Sequence, residues 1–351
     1  MNHNHRTPHR AALTLRRAAR LLAGAALLLL AACGTPKDRA RIEGSISNVR
    51  DAEFYVYSED GAFDGIDTIR IENGEFTYER PLQASAVLTL LYPNFSRTYV
   101  VAEPGRTVSI KGDAARLGEA DITGSEENEL LTAFRQRNAG KKPADLLLAA
   151  SDFVRSNART LAAVAVFRKY FADAEAPDAP TTRSLLGELR RAQPRNAALA
   201  ALARRLQPRL DASVGQAAPT FSAVGIDGRK VESADLKGKP YIVAFWATWS
   251  NESTSLLRTL GRLRKAHGEK LGIVAFALDT DARLCRRRVE SDSLRFANVC
   301  DGRAFESPVV RKLGARYVPS AMLVDRQGRV VGRDLAPDRL EQLTAPLLAE
   351  P

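Results

Sequence analysis

Histidine and cysteine are scarce in this chain, and their scarcity closes off most side-chain chemistries. Of 351 residues, 4 are His and 3 are Cys. His3, His5 and His9 lie at the very start, which leaves His267 alone in the remainder. That distribution argues against a His-ligated zinc site, a Ser–His triad and a two-His facial triad. Tryptophan is rarer still, with only Trp246 and Trp249. The apolar run Leu21–Leu30 is too short to span a bilayer. A stripe of basic residues with interleaved aromatics, as a nucleic-acid reader needs, is also missing. The formal net charge is +11, but residues 1–32 carry five Arg and no acid. Beyond them 47 basic residues face 41 acidic ones, a mild +6 that calls for no nucleic-acid partner. With 45% hydrophobic and 26% charged residues the chain is too apolar for disorder.

What is present begins with a leader. Residues 1–20 are basic, the apolar run follows, and it ends in Leu30-Ala31-Ala32-Cys33-Gly34. This resembles the lipobox of bacterial lipoproteins, in which the leader is cut before an acylated Cys. The resemblance implies a signal peptide over 1–32, lipid attachment at Cys33 and a lipidated tether over 33–40. Several acyl chains give the firm anchoring that one cannot. Gly34 rather than Asp after the Cys points to the outer membrane, facing the periplasm, an oxidising space.

From 41 to 125 short β runs alternate with turn residues, at Arg41–Ile46, Ala52–Tyr57, Ile66–Ile71, Glu75–Glu79, Ala86–Tyr92, Arg97–Ala102 and Thr107–Lys111. Asn73-Gly74 marks a hairpin and Pro104-Gly105 a second turn. An antiparallel β-sandwich is expected, with Tyr55, Tyr57, Phe76 and Tyr78 on its core face. Residues 126–210 carry helical periodicity, with Leu130, Leu131 and Phe134 on one face, and read as a helical connector of four or so helices. From 211 to 351 the apolar runs Tyr241–Phe245, Gly272–Leu278 and Ala321–Val324 alternate with helical stretches at Asn251–His267, Asp281–Ser291 and Ser307–Leu313. Strands buried on both faces read this way, so an α/β sheet is expected.

In this last segment Gly215-Gln216-Ala217-Ala218-Pro219, Val243-Ala244-Phe245-Trp246-Ala247-Thr248-Trp249 and Tyr317-Val318-Pro319-Ser320 stand out. Together with Leu278-Asp279 they resemble the membrane-anchored thiol-disulfide oxidoreductases of the thioredoxin superfamily. The N-terminal half, through Asn73-Gly74-Glu75-Phe76 and Thr123-Gly124-Ser125 with Asn128, resembles the β-domain of unknown function found in Bacteroidetes lipoproteins of this type. Active relatives carry Cys-x-x-Cys after the second Trp, where a helix N-terminus stabilises the thiolate. Here those positions are Ser250 and Ser253. A serine hydroxyl stays protonated at neutral pH and forms no mixed disulfide, and His267 is the only histidine left to serve as a base. Thr254, Leu256 and Arg258 also depart from the family's pattern, which argues for natural drift. Ser250 suits an N-cap and Glu252 suits the positive end of the helix. The resemblance further implies a cis peptide before Pro319, beside the Ser-x-x-Ser positions, and Trp246 and Trp249 flanking them.

Cys285 and Cys300 fall on a helix and a strand that are neighbours in this fold. They are open to three readings: a structural disulfide, two buried thiols, or a redox pair moved from the usual place. The run Arg286-Arg287-Arg288 would lower a nearby thiol's pKa, or else is a solvated helix face. The expectation is therefore a lipid-anchored envelope protein with a redox-degenerate thioredoxin-like domain. It would bind an envelope protein or peptide, or serve as a scaffold, with no cofactor or metal. The rival is a thiol-disulfide oxidoreductase or peroxidase-like enzyme that uses Cys285 and Cys300.

Overall fold

A computed structural model describes residues 35–174 and 178–349. The leader, Cys33 and Gly34 lie outside the described residues. The chain divides into two units, the first ending at Arg168 and the second beginning at Lys169. That division falls inside the stretch expected as a helical connector.

In the first unit eight strands are described: β1 (Arg39–Ser47), β2 (Ala52–Tyr57), β3 (Ile66–Ile71), β4 (Glu75–Pro81), β5 (Ala86–Leu91), β6 (Arg97–Ala102), β7 (Thr107–Asp113) and β8 (Asp121–Thr123). They form two four-stranded sheets, in the orders β4-β1-β7-β8 and β3-β2-β5-β6. Ile42, Phe54, Val56, Ile69, Leu88 and Ile110, drawn from both sheets, share one core. The β-rich architecture is as expected, with two corrections. β1 runs parallel to β7, from Arg41 beside Thr107 to Ser47 beside Asp113, so the sandwich is not purely antiparallel. No hairpin joins these strands, and local turn chemistry therefore carries no sign of their direction. On β2 the buried side chains are Phe54 and Val56, while Tyr55 is 41% exposed. Both faces of this strand are aromatic or branched, and a shift of one residue reverses which of them points inward.

Three helices complete the first unit: α1 (Glu126–Arg137), α2 (Pro143–Ser156) and α3 (Leu161–Phe167). Gly124, at φ +100°, turns the chain into α1, and a Cβ there would stand 2.2 Å from the Thr107 carbonyl oxygen. Ser125 then caps the helix by accepting the Asn128 amide. Asn128 is fully buried. Its Oδ1 accepts the Val101 amide at 2.9 Å, and its Nδ2 donates to the Val101 carbonyl at 2.8 Å. One turn later Thr132 Oγ1 accepts the Ile122 amide and donates to the Ile122 carbonyl. Val101 is on β6 and Ile122 on β8, the edge strands of the two sheets. One helix thus supplies both edges with the partner that a further strand would have given.

The second unit opens with α4 (Ala179–Ala192), α5 (Ala197–Asp211) and the short strands β9 (Ser222–Val224) and β10 (Lys230–Glu232). Its main sheet has the order β13-β12-β11-β14-β15, from β11 (Tyr241–Trp246), β12 (Gly272–Ala277), β13 (Ala297–Val299), β14 (Ser320–Val324) and β15 (Val330–Gly332). β11, β12 and β13 are parallel, β14 runs against them, and β15 turns back against β14. Every residue of β11, β12 and β14 is buried, as the continuous apolar runs require. Ile242, Ala244 and Trp246 pack with Leu256, Leu260 and Leu263 of α6 (Ser253–His267) and Leu340 of α9 (Pro337–Ala349). Val243 and Phe245 point the other way, into a core with Phe276, Val310 and Leu313. Val310 comes from α8 (Pro308–Lys312), and α7 (Ala282–Ser291) brings Cys285 to the α6 face.

Replacing Asn128 by Ala leaves the Val101 amide and carbonyl buried without partners. The expected loss is about 2–3 kcal/mol of local stability, or roughly a hundredfold faster exchange of the β6 amides. Hydrogen–deuterium exchange of the full-length chain reads this directly. Unchanged protection along β6 would show that the edge does not depend on Asn128.

Candidate functional site

The expected site lies at the carboxyl ends of parallel strands, where open α/β sheets place their ligands. β11 ends at Trp246, β12 leads through Leu278 to Asp279, and β13 is followed by Cys300. β14 starts at the same end, because Ser320 stands opposite Phe245. Register alone therefore gathers these groups together.

Leaving β11, the chain turns through residues 247–252 into α6. The helix begins at Ser253, two residues later than expected, after a turn at Asn251-Glu252. The N-cap position is held by Glu252 and not by Ser250 as expected; Ser250 Oγ still accepts the Ser253 amide at 3.3 Å, within the turn that precedes the helix. Ser253 Oγ accepts the Ala247 amide at 3.1 Å. Both serines are buried, at 7% and 1% exposure. The hydroxyls that stand in place of a dithiol are thus engaged by backbone amides.

Ser250 Oγ also donates to Glu252 Oε2 at 3.1 Å. A hydrogen bond from its own backbone amide, and then the one from Ser250, hold the Glu252 carboxyl below its usual value. It is accordingly a weak base at neutral pH. His267 closes the far end of α6, about 21 Å from Ser253 at the helical rise per residue. Glu252 is within reach but a weak base, and His267 is out of reach, so neither makes Ser250 a nucleophile.

The two tryptophans have different surroundings. Trp246 is fully buried in the core beneath α6 and reaches no open surface, so of the pair only Trp249 flanks the site from solvent. Trp249 is 62% exposed, with its indole Nε1 donating to the Leu278 carbonyl at 3.2 Å. The Val318–Pro319 peptide is cis. Before it Tyr317 is exposed, and Ser320 Oγ donates back to the Tyr317 carbonyl at 3.1 Å.

Asp279 ties this loop to its surroundings. It is buried, and its Oδ2 accepts the Thr248 amide at 3.0 Å while its Oδ1 accepts the Thr248 hydroxyl. Oδ2 lies 3.5 Å from Cys285 Sγ. Cys285 and Cys300 are free thiols whose sulfurs stand 2.8 Å apart. Cys285 is fully buried and Cys300 half-buried. The bond with Cys300, together with burial, pushes the Cys285 thiol up. The same bond, aided by the Gly302 amide, pulls the Cys300 thiol down. Arg286 and Arg287 are exposed, and Arg288 is tied to Asp292 and Thr254. Among the described residues no three His, Cys, Asp or Glu side chains group closely enough to hold a metal ion.

Sequence reasoning placed Ser250, Ser253, Trp249 and Pro319 at one end of the sheet and Cys285 near Cys300. It missed Asp279 as the residue that joins them. The available signal was a carboxylate directly after the unbroken apolar run Gly272–Leu278.

Residues 214–333 match the AhpC/TSA family, and residues 40–131 match DUF4369, a domain of unknown function. The thiol-disulfide oxidoreductase ResA of Bacillus thuringiensis strain Al Hakam is 29% identical over 132 residues, which are 37% of this chain and 74% of that protein. The thioredoxin-like protein YneN of Bacillus subtilis is 38% identical over 61 residues, 17% of this chain and 36% of its own length. A solved thiol-disulfide oxidoreductase from Bacteroides fragilis aligns at a TM-score of 0.35 and 24% identity, covering 38% of this chain and 99% of that one. The C-terminal domain is thus thioredoxin-like and matches the AhpC/TSA family, behind a segment that matches DUF4369.

Proposed function

We propose that this is a lipid-anchored envelope protein whose thioredoxin-like domain binds extended protein segments and carries out no dithiol chemistry at Ser250 and Ser253. The observation that carries the reading is the contrast within one turn of chain. Both serine hydroxyls are buried and bonded to backbone amides, while Trp249, directly before Ser250, stands 62% exposed. A hydroxyl engaged in this way, with no competent base beside it, neither attacks a disulfide nor acylates. An exposed indole with one edge fixed to a carbonyl offers a rigid apolar platform, the kind of group that dominates binding energy at protein interfaces. Tyr317, exposed just before Pro319, provides a second such surface. The anchor rests on Leu30-Ala31-Ala32-Cys33-Gly34, and Gly34 favours the outer membrane with the domain facing the periplasm.

Two measurements test this. Cells fed radiolabelled palmitate should label the full chain and carry it in the membrane fraction, whereas Cys33→Ser should be unlabelled and soluble. A wild-type chain that takes up no label has no such anchor. For binding, the probe is a reduced and carboxymethylated globular protein, a source of extended segments without thiols. Its addition should shift Trp249 emission, and Trp249→Ala, checked for folding by circular dichroism, should weaken capture by about tenfold, close to 1.4 kcal/mol. Equal capture by the variant and the parent rules the Trp249 surface out.

A further inference from the structure

Beside the serine turn stands a cluster that the binding role leaves unused. Cys285 lies at the start of α7, Cys300 directly after β13, and Asp279 directly after β12. The geometry points to these three residues as a displaced thiol–disulfide exchange centre, which reduces disulfides of other proteins at Cys300 and closes on itself through Cys285.

Three observations divide the roles. Access separates the thiols: Cys285 is fully buried and Cys300 half-buried, so an incoming sulfur meets Cys300. Donors separate them as well. Cys300 Sγ lies 2.8 Å from Cys285 Sγ and accepts the Gly302 amide, while Cys285 directs its proton to Asp279 Oδ2, an arrangement that favours a thiolate at Cys300. Asp279 and Asp301 oppose that charge, but Asp301 is exposed and spends an oxygen on the Arg303 amide. The third observation is the proton acceptor. Asp279 Oδ2 lies 3.5 Å from Cys285 Sγ, on the resolving thiol. The Thr248 amide and hydroxyl hold the carboxylate in this position, so it is fixed beside the sulfur.

The exchange balances as follows. The Cys300 thiolate attacks one sulfur of a protein disulfide; that bond breaks, a mixed disulfide forms, and the other sulfur leaves as a thiolate. That thiolate takes up from water the proton that Cys300 released on ionising. Cys285 gives its proton to Asp279 and attacks Cys300 Sγ. The mixed disulfide then breaks, and the second substrate sulfur leaves with the bonding pair and takes up the proton from Asp279. The substrate gains two electrons and two protons, and Cys285–Cys300 becomes a disulfide. A dithiol reductant of the same compartment returns it to the thiol state by the reverse exchange.

This goes beyond the binding role and stands or falls separately from it, since Trp249→Ala tests one and the cysteine variants test the other. The full chain carrying Cys33→Ser leaves Cys285 and Cys300 as the only thiols. Glutathione disulfide should convert them to one intramolecular bridge, seen by peptide mass spectrometry, and dithiothreitol should reopen it in the native protein. Insulin reduction driven by dithiothreitol should exceed the uncatalysed rate and be lost in Cys300→Ser. Cys285→Ser should accumulate a glutathione adduct at Cys300. Asp279→Asn should form that adduct at the parental rate but resolve it about a hundredfold more slowly, a split that a structural role alone would not produce. If Asp279→Asn fails to fold, the adduct at Cys300 in Cys285→Ser still decides the order of the thiols. A bridge that opens only in denaturant, no bridge at all, or insulin reduction that survives Cys300→Ser overturns the proposal.

Discussion

The end of the sheet depends on one buried carboxylate. Asp279, 4% exposed, sits at the mouth of a strand whose six residues are all buried. A carboxyl group withdrawn from water is costly unless donors fill its lone pairs. Asp279 takes the amide and hydroxyl of Thr248, and the Cys285 thiol stands against it. These bonds fix the first residues after β11, which in turn set where Trp249 emerges and where α6 begins. The indole bond to the Leu278 carbonyl belongs to the same arrangement, one residue before the carboxylate. The exposed platform and the paired thiols therefore share a single support, and moving the support would move both.

In the first unit the comparable constraint is the sheet edge. Two open four-stranded sheets offer four edges, and unpaired strand edges invite association with other chains. Asn128 and Thr132, four residues apart on one face of α1, close β6 and β8. Gly124 and Ser125 place the helix so that its side chains arrive in register, Gly124 by its left-handed backbone and Ser125 by its cap. This explains why Thr123-Gly124-Ser125 with Asn128 belong together as a motif. It also explains why helices follow the strands within one unit. At the end of that unit Arg168, fully buried, pairs with Glu59 and Asp60 and holds the loop that follows β2.

Much of this was legible in the sequence wherever the signal was local. The runs at 241–246 and 272–277 show their burial on both faces directly, and Asn73-Gly74 marks a tight turn at positive φ, although the strands it joins, β3 and β4, part into different sheets and make no hairpin. What failed was non-local or faint. The parallel pairing of β1 with β7 is made between segments with no shared turn. The core face of β2 could not be told because Phe54, Tyr55, Val56 and Tyr57 are each suited to either side of a strand. β8, three residues long, exists because Thr132 and β7 hold it. At the site, the residue types were readable, but the joining role of Asp279 was not. It requires knowing that the ends of β11 and β12 lie side by side, and that Thr248 has no other partner for its hydroxyl in the turn.

The serines suggest how such a site can lose its dithiol and keep its shape. A hydroxyl is smaller than a thiol and a stronger acceptor for an amide N–H. At position 253, with 1% exposure, an oxygen that accepts the Ala247 amide satisfies a buried donor that sulfur would serve poorly. At position 250 the hydroxyl accepts the Ser253 amide within the turn before α6, whose N-cap is Glu252. Each hydroxyl gives a backbone amide of the turn its partner. Strain and unsatisfied groups are what reactive sites often retain at the expense of stability. Here the turn has settled, and the unsettled chemistry, two unbonded sulfurs in contact beside a buried acid, lies one strand away.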